Sequence, residues 1–315
     1  MLKLDFLPYG MPMTVEARNI INSPAGLNLA AWIGRTTPQS LGHRIAQFAA
    51  DRLSARKDWK MVQGARLNQW VVRGENLSQA ARDEAVRLNF RNTARGIFDL
   101  YHNINNPAVF RKIIDVDPVA EQFIHRPEFT ERGLVITGLH MGSFDLIGQV
   151  AGIVGVKAMY LVLPNPNPGY QKQLEMRREK GMDMYPTSND TIKRAIKRLQ
   201  AGGVVMTGID RPDESYPYRP RFFGRPAPLP VHHVFMALKA QVPVLVAAVV
   251  WQPDKRYHLL FSEPIEMDSI PDRHVEILSN AEKILRAAAY LISHDPAQWA
   301  MTFPVWPDVM NQVPQ

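Results

Sequence analysis

The sequence contains no cysteine. This absence excludes a cysteine nucleophile, a thiolate metal site and a disulfide framework, and it fits a reducing compartment. Long apolar runs are also missing: the longest, residues 242–251, has the length of a strand, whereas a membrane-spanning helix needs ~18–20 apolar residues. Gly-x-Gly-x-x-Gly, Walker A and Gly-x-Ser-x-Gly motifs are absent as well, which disfavours nucleotide-binding folds and classical serine hydrolases.

The charge balance is basic, with a formal net charge of +7 and a pI near 9.6. Such a balance suits an anionic partner, which can be nucleic acid, a phosphorylated cofactor or a membrane surface. The first residues carry Asp5, Pro8, Pro12 and Glu16 and therefore lack a clean signal-peptide core. We expect the protein on the cytoplasmic side of the inner or plasma membrane, in peripheral contact with it and without a transmembrane helix.

Two kinds of periodicity divide the chain. Residues 1 to about 127 show helical spacing of apolar residues, most clearly in 41–59 and 77–104. From about residue 131, strand-like runs at 133–139, 157–163, 203–208, 242–250 and 256–262 alternate with helical patterns at 143–153, 168–180, 190–201, 231–241 and 272–293. This alternation predicts an α/β fold with a mostly parallel central sheet flanked by helices. We expect a helical N-terminal region, 1–127, packed on an α/β core, 128–315, as one continuous domain.

His140 stands at the carboxyl end of the predicted strand 133–139, where α/β proteins place ligands. It can meet Asp145 only if it lies in the turn before the next helix; Gly142 permits an unusual backbone angle and Ser143 is an acceptable N-cap. A carboxylate would then orient the imidazole as a general base, and amides at the helix start would hold an oxyanion. The alternative is a chance spacing, with Asp145 favoured only by the helix dipole.

The His-x-Gly-x-x-Asp strand end and its following apolar segment resemble the His-x4-Asp/Glu box of the glycerolipid and lysophospholipid acyltransferase superfamily. The most similar branch comprises the lauroyl/myristoyl acyltransferases of lipid A biosynthesis and the related phosphatidylinositol mannoside acyltransferases. Further blocks agree in order and spacing: an arginine-containing helix before a short strand, a strand ending in aspartate, a Phe-Phe-Gly segment and a Pro-x-Gln-Trp element, at 172–186, 203–215, 221–247 and 295–303. The likeness covers nearly the whole chain.

The sequence also departs from that branch. His-Met-Gly-Ser-Phe-Asp replaces the usual His-x-Gly-Asn-Trp-Glu, so the carboxylate at Asp145 is kept with a shorter reach. Arg211 follows Asp210 where the lipid A enzymes often carry glutamine, and the usual transmembrane anchor at the start is missing. These differences bear on the identity of the acceptor lipid more than on the type of reaction.

The resemblance implies an O-acyltransferase. It would move a fatty acyl group from an acyl carrier protein or coenzyme A thioester to a hydroxyl of a membrane glycolipid or lysolipid, with no cofactor besides this co-substrate. His140 would be the general base and Asp145 its orienting group. Asp210 would belong to the site, positioning the acceptor or the histidine; its alternative is an ordinary turn residue before Pro212.

Eight residues are candidates for substrate binding. The arginines among them are suited to binding phosphate or an anionic headgroup, and the aromatic residues around 221–225 are suited to a lipid interface. The alternatives are a solvated basic helix face and a proline-rich loop with satisfied surface arginines. The candidates are Gly142, Ser143, Arg177, Arg211, Arg221, Phe223, Gly224 and Arg225.

Two other functions and a metal site are alternatives to this interpretation. The same His–Asp pair with water as acceptor would give a thioesterase or lipid hydrolase, and a basic protein without catalysis would bind nucleic acid or membrane. We expect no nucleic-acid partner, because basic residues mix with acidic ones. We expect no metal, because adjacent His232 and His233 diverge by about 100° on a helix. Segment 24–34 is a candidate for the membrane interface or for burial against the core.

Overall fold

The computed structural model describes residues 24–103, 109, 112–116, 131–145, 156–164, 168–179 and 181–314. Its N-terminal part is helical, as the periodicity predicts. The helices are α1 (Pro24–Thr36), α2 (Gln39–Ser54), α3 (Lys60–Val72) and α4 (Gln79–Asn103). Residues 1–23 of the predicted helical region lie outside the described residues.

Helices α1 and α2 both pack on α4, and glycines allow the close approach. A Cβ atom at Gly34 would lie 2.6 Å from Cβ of Tyr101, and one at Gly42 would overlap the ring of Phe98. Hydrogen as the side chain therefore lets the helix backbones approach the aromatic side chains of α4.

The remaining elements include the five predicted strands and four short ones that the strand-like runs did not mark, at 114–116, 183–186, 221–222 and 225–226. The strands are β1 (Ile114–Val116), β2 (Leu134–Gly138), β3 (Ala158–Val162), β4 (Asp183–Pro186), β5 (Val204–Gly208), β6 (Arg221–Phe222), β7 (Arg225–Pro226), β8 (Val244–Trp251) and β9 (Tyr257–Phe261). The helices are α5 (Pro168–Arg178), α6 (Asn189–Gln200), α7 (His232–Ala240) and α8 (Arg273–His294), followed by 3-10 turns at Pro296–Gln298 and Pro307–Gln312. Of the predicted helix 143–153, the part beyond residue 145 lies outside the described residues.

Among the described residues, seven strands form one sheet in the order β1-β9-β8-β2-β5-β3-β4. Strands β8, β2, β5, β3 and β4 are parallel to one another, whereas β9 is antiparallel to β8 and parallel to the edge strand β1. The predicted α/β fold with a mostly parallel sheet is confirmed.

The prediction of helix for all of 1–127 is wrong at β1. Ile114 pairs with Tyr257 and Val116 with Leu259, so this short strand completes the edge of the core sheet. Three residues are too few to show an alternating pattern, and the strand forms because β9 offers it a hydrogen-bonding partner. The division into regions at residue 127 stays a prediction.

Successive residues of the central strands enter different hydrophobic clusters. Val135 packs in one cluster with residues of α7 and α8, while Ile136 packs in the other with Leu245 and Tyr257. Both faces of the sheet are therefore covered, which explains why the eight residues of β8 are apolar and almost completely buried. The covered faces leave the carboxyl edge of the sheet as the place for polar chemistry.

Candidate active site

His140 and Asp210 meet at the carboxyl ends of two neighbouring strands. β2 and β5 are parallel, and Gly138 lies opposite Gly208 in their register. Each polar residue follows its glycine by two positions, so both side chains arrive at the same edge of the sheet. Nδ1 of His140 is 2.6 Å from Oδ1 of Asp210, and the His140 backbone N–H donates to Oδ2 at 2.8 Å. One carboxylate thus holds both the ring and the main chain of the histidine.

Trp299 completes the surroundings of the carboxylate. Its Nε1–H donates to Oδ2 of Asp210 at 2.8 Å, and Asp210 has no exposed surface. Burial alone would raise the pKa of Asp210, but the charge of His140 and the hydrogen bonds from His140 and Trp299 outweigh it, so the pKa is lowered. An ionised Asp210 accepts the Nδ1–H of His140, which leaves Nε2 as the basic nitrogen of the ring.

Solvent reaches His140 beside Gly208. A quarter of the His140 side chain is exposed, and Gly208 itself is exposed. A Cβ atom at Gly208 would lie 3.6 Å from Cε1 of His140, so the glycine keeps the space next to the ring open. The ring of Phe144 packs against the imidazole with 4.6 Å between the centroids. The histidine is therefore held in place and still accessible.

Asp145, which the sequence placed on the imidazole, pairs with Arg177 instead. Its Oδ1 is 2.5 Å from Nη2 of Arg177, with both side chains mostly buried. The orienting position on Nδ1 belongs to Asp210, because strand register brings that carboxylate to the ring while Asp145 begins the next helical turn and faces α5. The expected pairing of His140 with Asp145 is thus corrected. The substrate-binding role predicted for Arg177 stays a prediction.

The Asp145–Arg177 pair lies among tyrosines and a second arginine. Burial raises the pKa of Tyr170, on which the charges of Arg177, Asp145 and Arg211 also act. The Arg177 guanidinium is 5.7 Å from the Tyr170 ring centroid. Burial alone would lower the pKa of Arg177, but Asp145 and Tyr170 raise it, so the guanidinium remains charged. Arg177 and Arg211, which directly follows Asp210 in the sequence, therefore both lie within electrostatic reach of Tyr170.

The Gly142 N–H and the Ser143 hydroxyl both form hydrogen bonds within the protein. The Gly142 N–H donates to the Gln298 carbonyl at 2.8 Å, its φ is +52°, and a Cβ atom there would collide with the Val249 carbonyl. The buried Ser143 hydroxyl donates to the Gly96 carbonyl of α4 at 3.1 Å. We expected amides at this helix start to bind an oxyanion, but the Gly142 N–H already donates to Gln298. The backbone at Gly142 packs between β8 and α4, which leaves this N–H directed into the protein.

The sequence as a whole matches one family of enzymes. The chain belongs to the bacterial lipid A biosynthesis acyltransferase family. The family model matches residues 25–307, which includes every element of the sheet and the dyad. A comparison with curated proteins finds no match to the chain. Membership supports acyl transfer involving an acyl donor and a lipid acceptor.

The Phe-Phe-Gly segment expected of this family forms a hairpin that supports Trp299. Strands β6 and β7 are joined by Phe223 and Gly224, whose φ angles of 49° and 76° suit a tight two-residue turn. The ring of Phe222 packs edge-on against Trp299 at 5.9 Å and is stacked with Trp306 at 5.7 Å. The segment therefore stabilises the tryptophan that binds Asp210.

The two hairpin arginines bind neighbouring protein groups. Nε of Arg225 donates to Oε1 of Glu75 at 2.7 Å, and Nη1 of Arg221 donates to the Gly224 carbonyl at 3.2 Å. The Arg221 backbone N–H donates to Glu282. These contacts match the alternative of satisfied surface arginines, and neither set of contacts includes His140 or Asp210. The substrate-binding roles predicted for Arg221 and Arg225 stay predictions.

Sequence reasoning did not select Trp299 and Gln298 as site residues. The Gln298 side chain accepts from the Trp251 backbone N–H at 2.6 Å and donates to its carbonyl at 2.8 Å, while Asn89 donates to the Trp299 carbonyl at 2.6 Å. The segment is thereby fixed to β8 and α4. The Pro-x-Gln-Trp block was the sequence signal that could have identified these two residues. Their role in the site, however, depends on contacts with residues that are distant in the sequence.

His232 lies beside β5 and is joined to it. Its Nε2 is 2.7 Å from the hydroxyl of Thr207, and burial lowers its pKa to about 4. Burial also lowers the pKa of His233, whose ring nitrogens have no hydrogen-bond partner. Within the described ranges, no group of three His, Asp or Glu side chains is arranged to hold a metal ion. In the same part of the chain, none of the helices has both the length and the apolar character needed to cross a bilayer.

Proposed function

We propose that the protein is an O-acyltransferase acting at a membrane surface. It transfers a fatty acyl group from an acyl carrier protein or coenzyme A thioester to a hydroxyl of a glycolipid or lysolipid. Family membership supports the acyl transfer and a lipid acceptor. The thioester donor, the hydroxyl acceptor and the residues that act on them are our proposal.

The observation that carries this proposal is the bond between His140 and Asp210. An ionised carboxylate on Nδ1 fixes the tautomer and stabilises the imidazolium that forms when Nε2 takes a proton. Such an arrangement makes a general base of the histidine, which typically accelerates a reaction by about 10²- to 10⁴-fold. Asp210 is the positioning residue, and Trp299 positions Asp210.

In the proposed reaction, the acceptor hydroxyl lies against Nε2 of His140. The ring takes the hydroxyl proton as the oxygen attacks the thioester carbonyl, and a tetrahedral intermediate forms. The carbon–sulfur bond then breaks, and the thiolate leaves with the proton returned by His140. The products are an ester and a thiol, and no covalent enzyme intermediate is needed, which is consistent with a chain without cysteine.

We assign binding of an anionic substrate group to Arg211, with Arg177 in support. Arg211 follows the dyad residue Asp210, and its guanidinium lies 4.2 Å from the Phe303 ring centroid. Arg177 is already paired with Asp145, so it contributes a charge that is held in place. A guanidinium fork matches the oxygens of a phosphate in the donor or in the acceptor headgroup.

Gly142 is not assigned to the oxyanion. Its N–H donates to Gln298, and the His140 N–H donates to Asp210, so neither amide is available to a tetrahedral intermediate. Peripheral contact with the cytoplasmic side of the membrane completes the proposal, supported by the basic pI near 9.6.

The test measures thiol release from acyl carrier protein and coenzyme A thioesters by the purified protein. Each assay runs with and without a lipid extract of the source cells, with mass spectrometry of the lipids. We expect release that depends on lipid and on His140, together with a new acylated lipid. His140→Ala should abolish turnover and keep the fold. His258→Ala is the matched control, because His258 also pairs with an aspartate, the exposed Asp254.

Each of the other outcomes has a definite meaning. Release that depends on His140 but needs no lipid, and yields free fatty acid, would identify a thioesterase and overturn the transferase. Turnover in His140→Ala equal to that of the unmodified protein would overturn the proposed role of the histidine. Absence of turnover with both donors in the presence of the extract would contradict the proposed donor class.

A further inference from the structure

The N-terminal helices expose a group of large apolar side chains. On α1 these are Leu29 and Trp32, and on α2 they are Leu41, Ile45 and Phe48. The exposed fractions of Trp32 and Phe48 are 63% and 62%, unusual for aromatic residues. Spacings of three and four residues place each set on one side of its helix. We call these five residues the α1–α2 apolar face.

This face is not the side by which the helices join the protein. The buried residues of α1 and α2 include Gly34, which lies against Tyr101, and Gly42, which lies against Phe98. Ala50 is buried further along α2. Contacts with α4 therefore use one side of each helix, and the apolar face is on another side.

The sequence around the face is basic and lacks acidic residues. No aspartate or glutamate occurs between Glu16 and Asp51, whereas exposed arginines stand at positions 35, 44 and 52. The guanidinium of Arg52 is 5.0 Å from the Phe48 ring centroid, so charge and aromatic surface adjoin. Before Asp51, neither helix therefore carries a carboxylate that would repel a negatively charged surface.

Asp51 itself belongs to the interior side. Its carboxylate binds Arg91 of α4 through two hydrogen bonds of 2.5 and 2.6 Å, and Arg87 lies 3.9 Å away. The acidic charge of α2 is thus neutralised by α4. Within the described ranges, no ion pair joins Arg35, Arg44 or Arg52 to an acidic side chain.

Helix α1 also adjoins the Asp145–Arg177 pair. Burial raises the pKa of Tyr101, and the charges of Asp145, Arg177 and Arg35 all act on it. Arg35, at the end of α1, is therefore within electrostatic reach of the same tyrosine as the Asp145–Arg177 pair. Helix α5, which carries Arg177, packs on α1.

We propose that the α1–α2 apolar face, with Arg35, Arg44 and Arg52, docks on an anionic phospholipid bilayer. Aromatic and aliphatic side chains enter the interface, and the arginines bind headgroup phosphates. The inference deepens the proposed function and rests on it for its biological meaning: a lipid acceptor would be presented from the bilayer beside Tyr101.

The first test measures flotation of the full-length protein with vesicles of phosphatidylcholine, with or without added phosphatidylglycerol. We expect binding to the anionic vesicles and a decline with salt. Trp32→Ser/Phe48→Ser should reduce the partition coefficient by roughly tenfold or more, because two large apolar side chains leave the interface. The control is Tyr290→Ser, which removes an aromatic side chain that is 67% exposed on α8. It should bind as the unmodified protein does.

The second test changes charge alone. Replacing the three arginines by glutamine should lower the partition coefficient onto anionic vesicles by roughly 100-fold, since each basic residue near such a surface contributes about a factor of five. The control replaces Lys193, Lys197 and Lys255 by glutamine, with the same change in net charge. If the control loses as much affinity as the arginine variant, net charge and not this face binds the bilayer, and the proposal is overturned.

Two further outcomes would overturn it. Unchanged vesicle binding by Trp32→Ser/Phe48→Ser would exclude the face. Unchanged vesicle binding with a shift in sedimentation equilibrium from oligomer to monomer would identify the face as an interface between copies.

Acyl transfer to detergent-dispersed acceptor separates this inference from the proposed function. Transfer in detergent without binding to anionic vesicles would refute the docking surface alone. Face-dependent vesicle binding without transfer under any condition would refute the proposed reaction and support the surface.

Discussion

Oδ1 of Asp210 lies 2.6 Å from Nδ1 of His140, and Oδ2 of the same carboxylate accepts the His140 backbone N–H. The two residues end strands that are neighbours in the sheet and in register at Gly138 and Gly208. The position of the imidazole therefore depends on the sheet itself. A rigid support of this kind is what a general base needs, because its nitrogen must meet a hydroxyl at hydrogen-bond distance.

Replacing the orienting carboxylate by an amide tests the dyad. Asp210→Asn keeps the shape of the residue, but its amide N–H₂ would favour the wrong tautomer of His140. We expect kcat to fall by about 10³- to 10⁴-fold with little change in KM. Steady-state kinetics measure the effect, with circular dichroism to check the fold. Asp254→Asn, at the exposed partner of His258, is the control and should keep full activity.

Removing one hydrogen bond from the carboxylate should have a smaller effect. Trp299→Phe retains an aromatic ring but loses the Nε1–H that binds Asp210, so the pKa of Asp210 should rise. We expect the free energy of unfolding to fall by about 1.5–3 kcal/mol. On acidification, the activity of the variant should begin to decline at a higher pH than that of the unmodified enzyme.

Urea unfolding and the pH profile of kcat measure both effects of Trp299→Phe. In Trp306→Phe the lost hydrogen bond is to the neutral Phe222 carbonyl, so this variant should leave the acid side of the pH profile unchanged. An identical pH shift in both variants would argue against a specific effect on Asp210.

Asp145 should behave as a structural partner of Arg177. Asp145→Asn leaves a mostly buried guanidinium opposite a neutral group, and we expect a loss of about 3 kcal/mol in stability. The loss in kcat should be much smaller than in Asp210→Asn, because His140 keeps its carboxylate. Chemical denaturation and kinetics on both variants decide the matter. If Asp145→Asn lowers kcat as strongly as Asp210→Asn, the assignment of the orienting group must be reversed.

Gly142 should tolerate no side chain. Gly142→Ala combines a left-handed φ with a collision between Cβ and the Val249 carbonyl, and we expect destabilisation of roughly 2–5 kcal/mol. Gly74→Ala isolates the backbone contribution, because Gly74 has a φ of +85° and open space around it. Thermal and urea unfolding of the two variants should differ clearly; equal losses would show that the contact with β8 is unimportant.

Acid should weaken the fold through His232. Burial lowers its pKa from 6.5 to about 4, so the unfolded chain binds the proton first as pH falls. The free energy of unfolding should therefore decrease between about pH 6.5 and pH 4, and His233 adds to the decrease because its pKa is lowered too. Urea midpoints across this range should fall less in His232→Gln. Midpoints that fall as much in His232→Gln as in the unmodified protein would contradict this role of His232.

Local patterns in the sequence predicted much of the fold. The bounds of β2, β3, β5, β8 and β9 agree with the predicted runs to within one or two residues, because alternation and helical spacing are properties of short segments. β1 was missed since three residues contain no such pattern. The tight turn at Phe223–Gly224 also escaped prediction, although its glycine was noted.

The sequence by itself determined that His140 ends a strand of a parallel sheet and that carboxylates and arginines follow it. Tertiary structure alone decided which carboxylate meets the ring. His140 and Asp210 are 70 residues apart, and the register of β2 with β5 brings them together. Spacing along the chain favoured the nearer Asp145, but hydrogen bonding depends on distance in space, and there Asp145 binds Arg177.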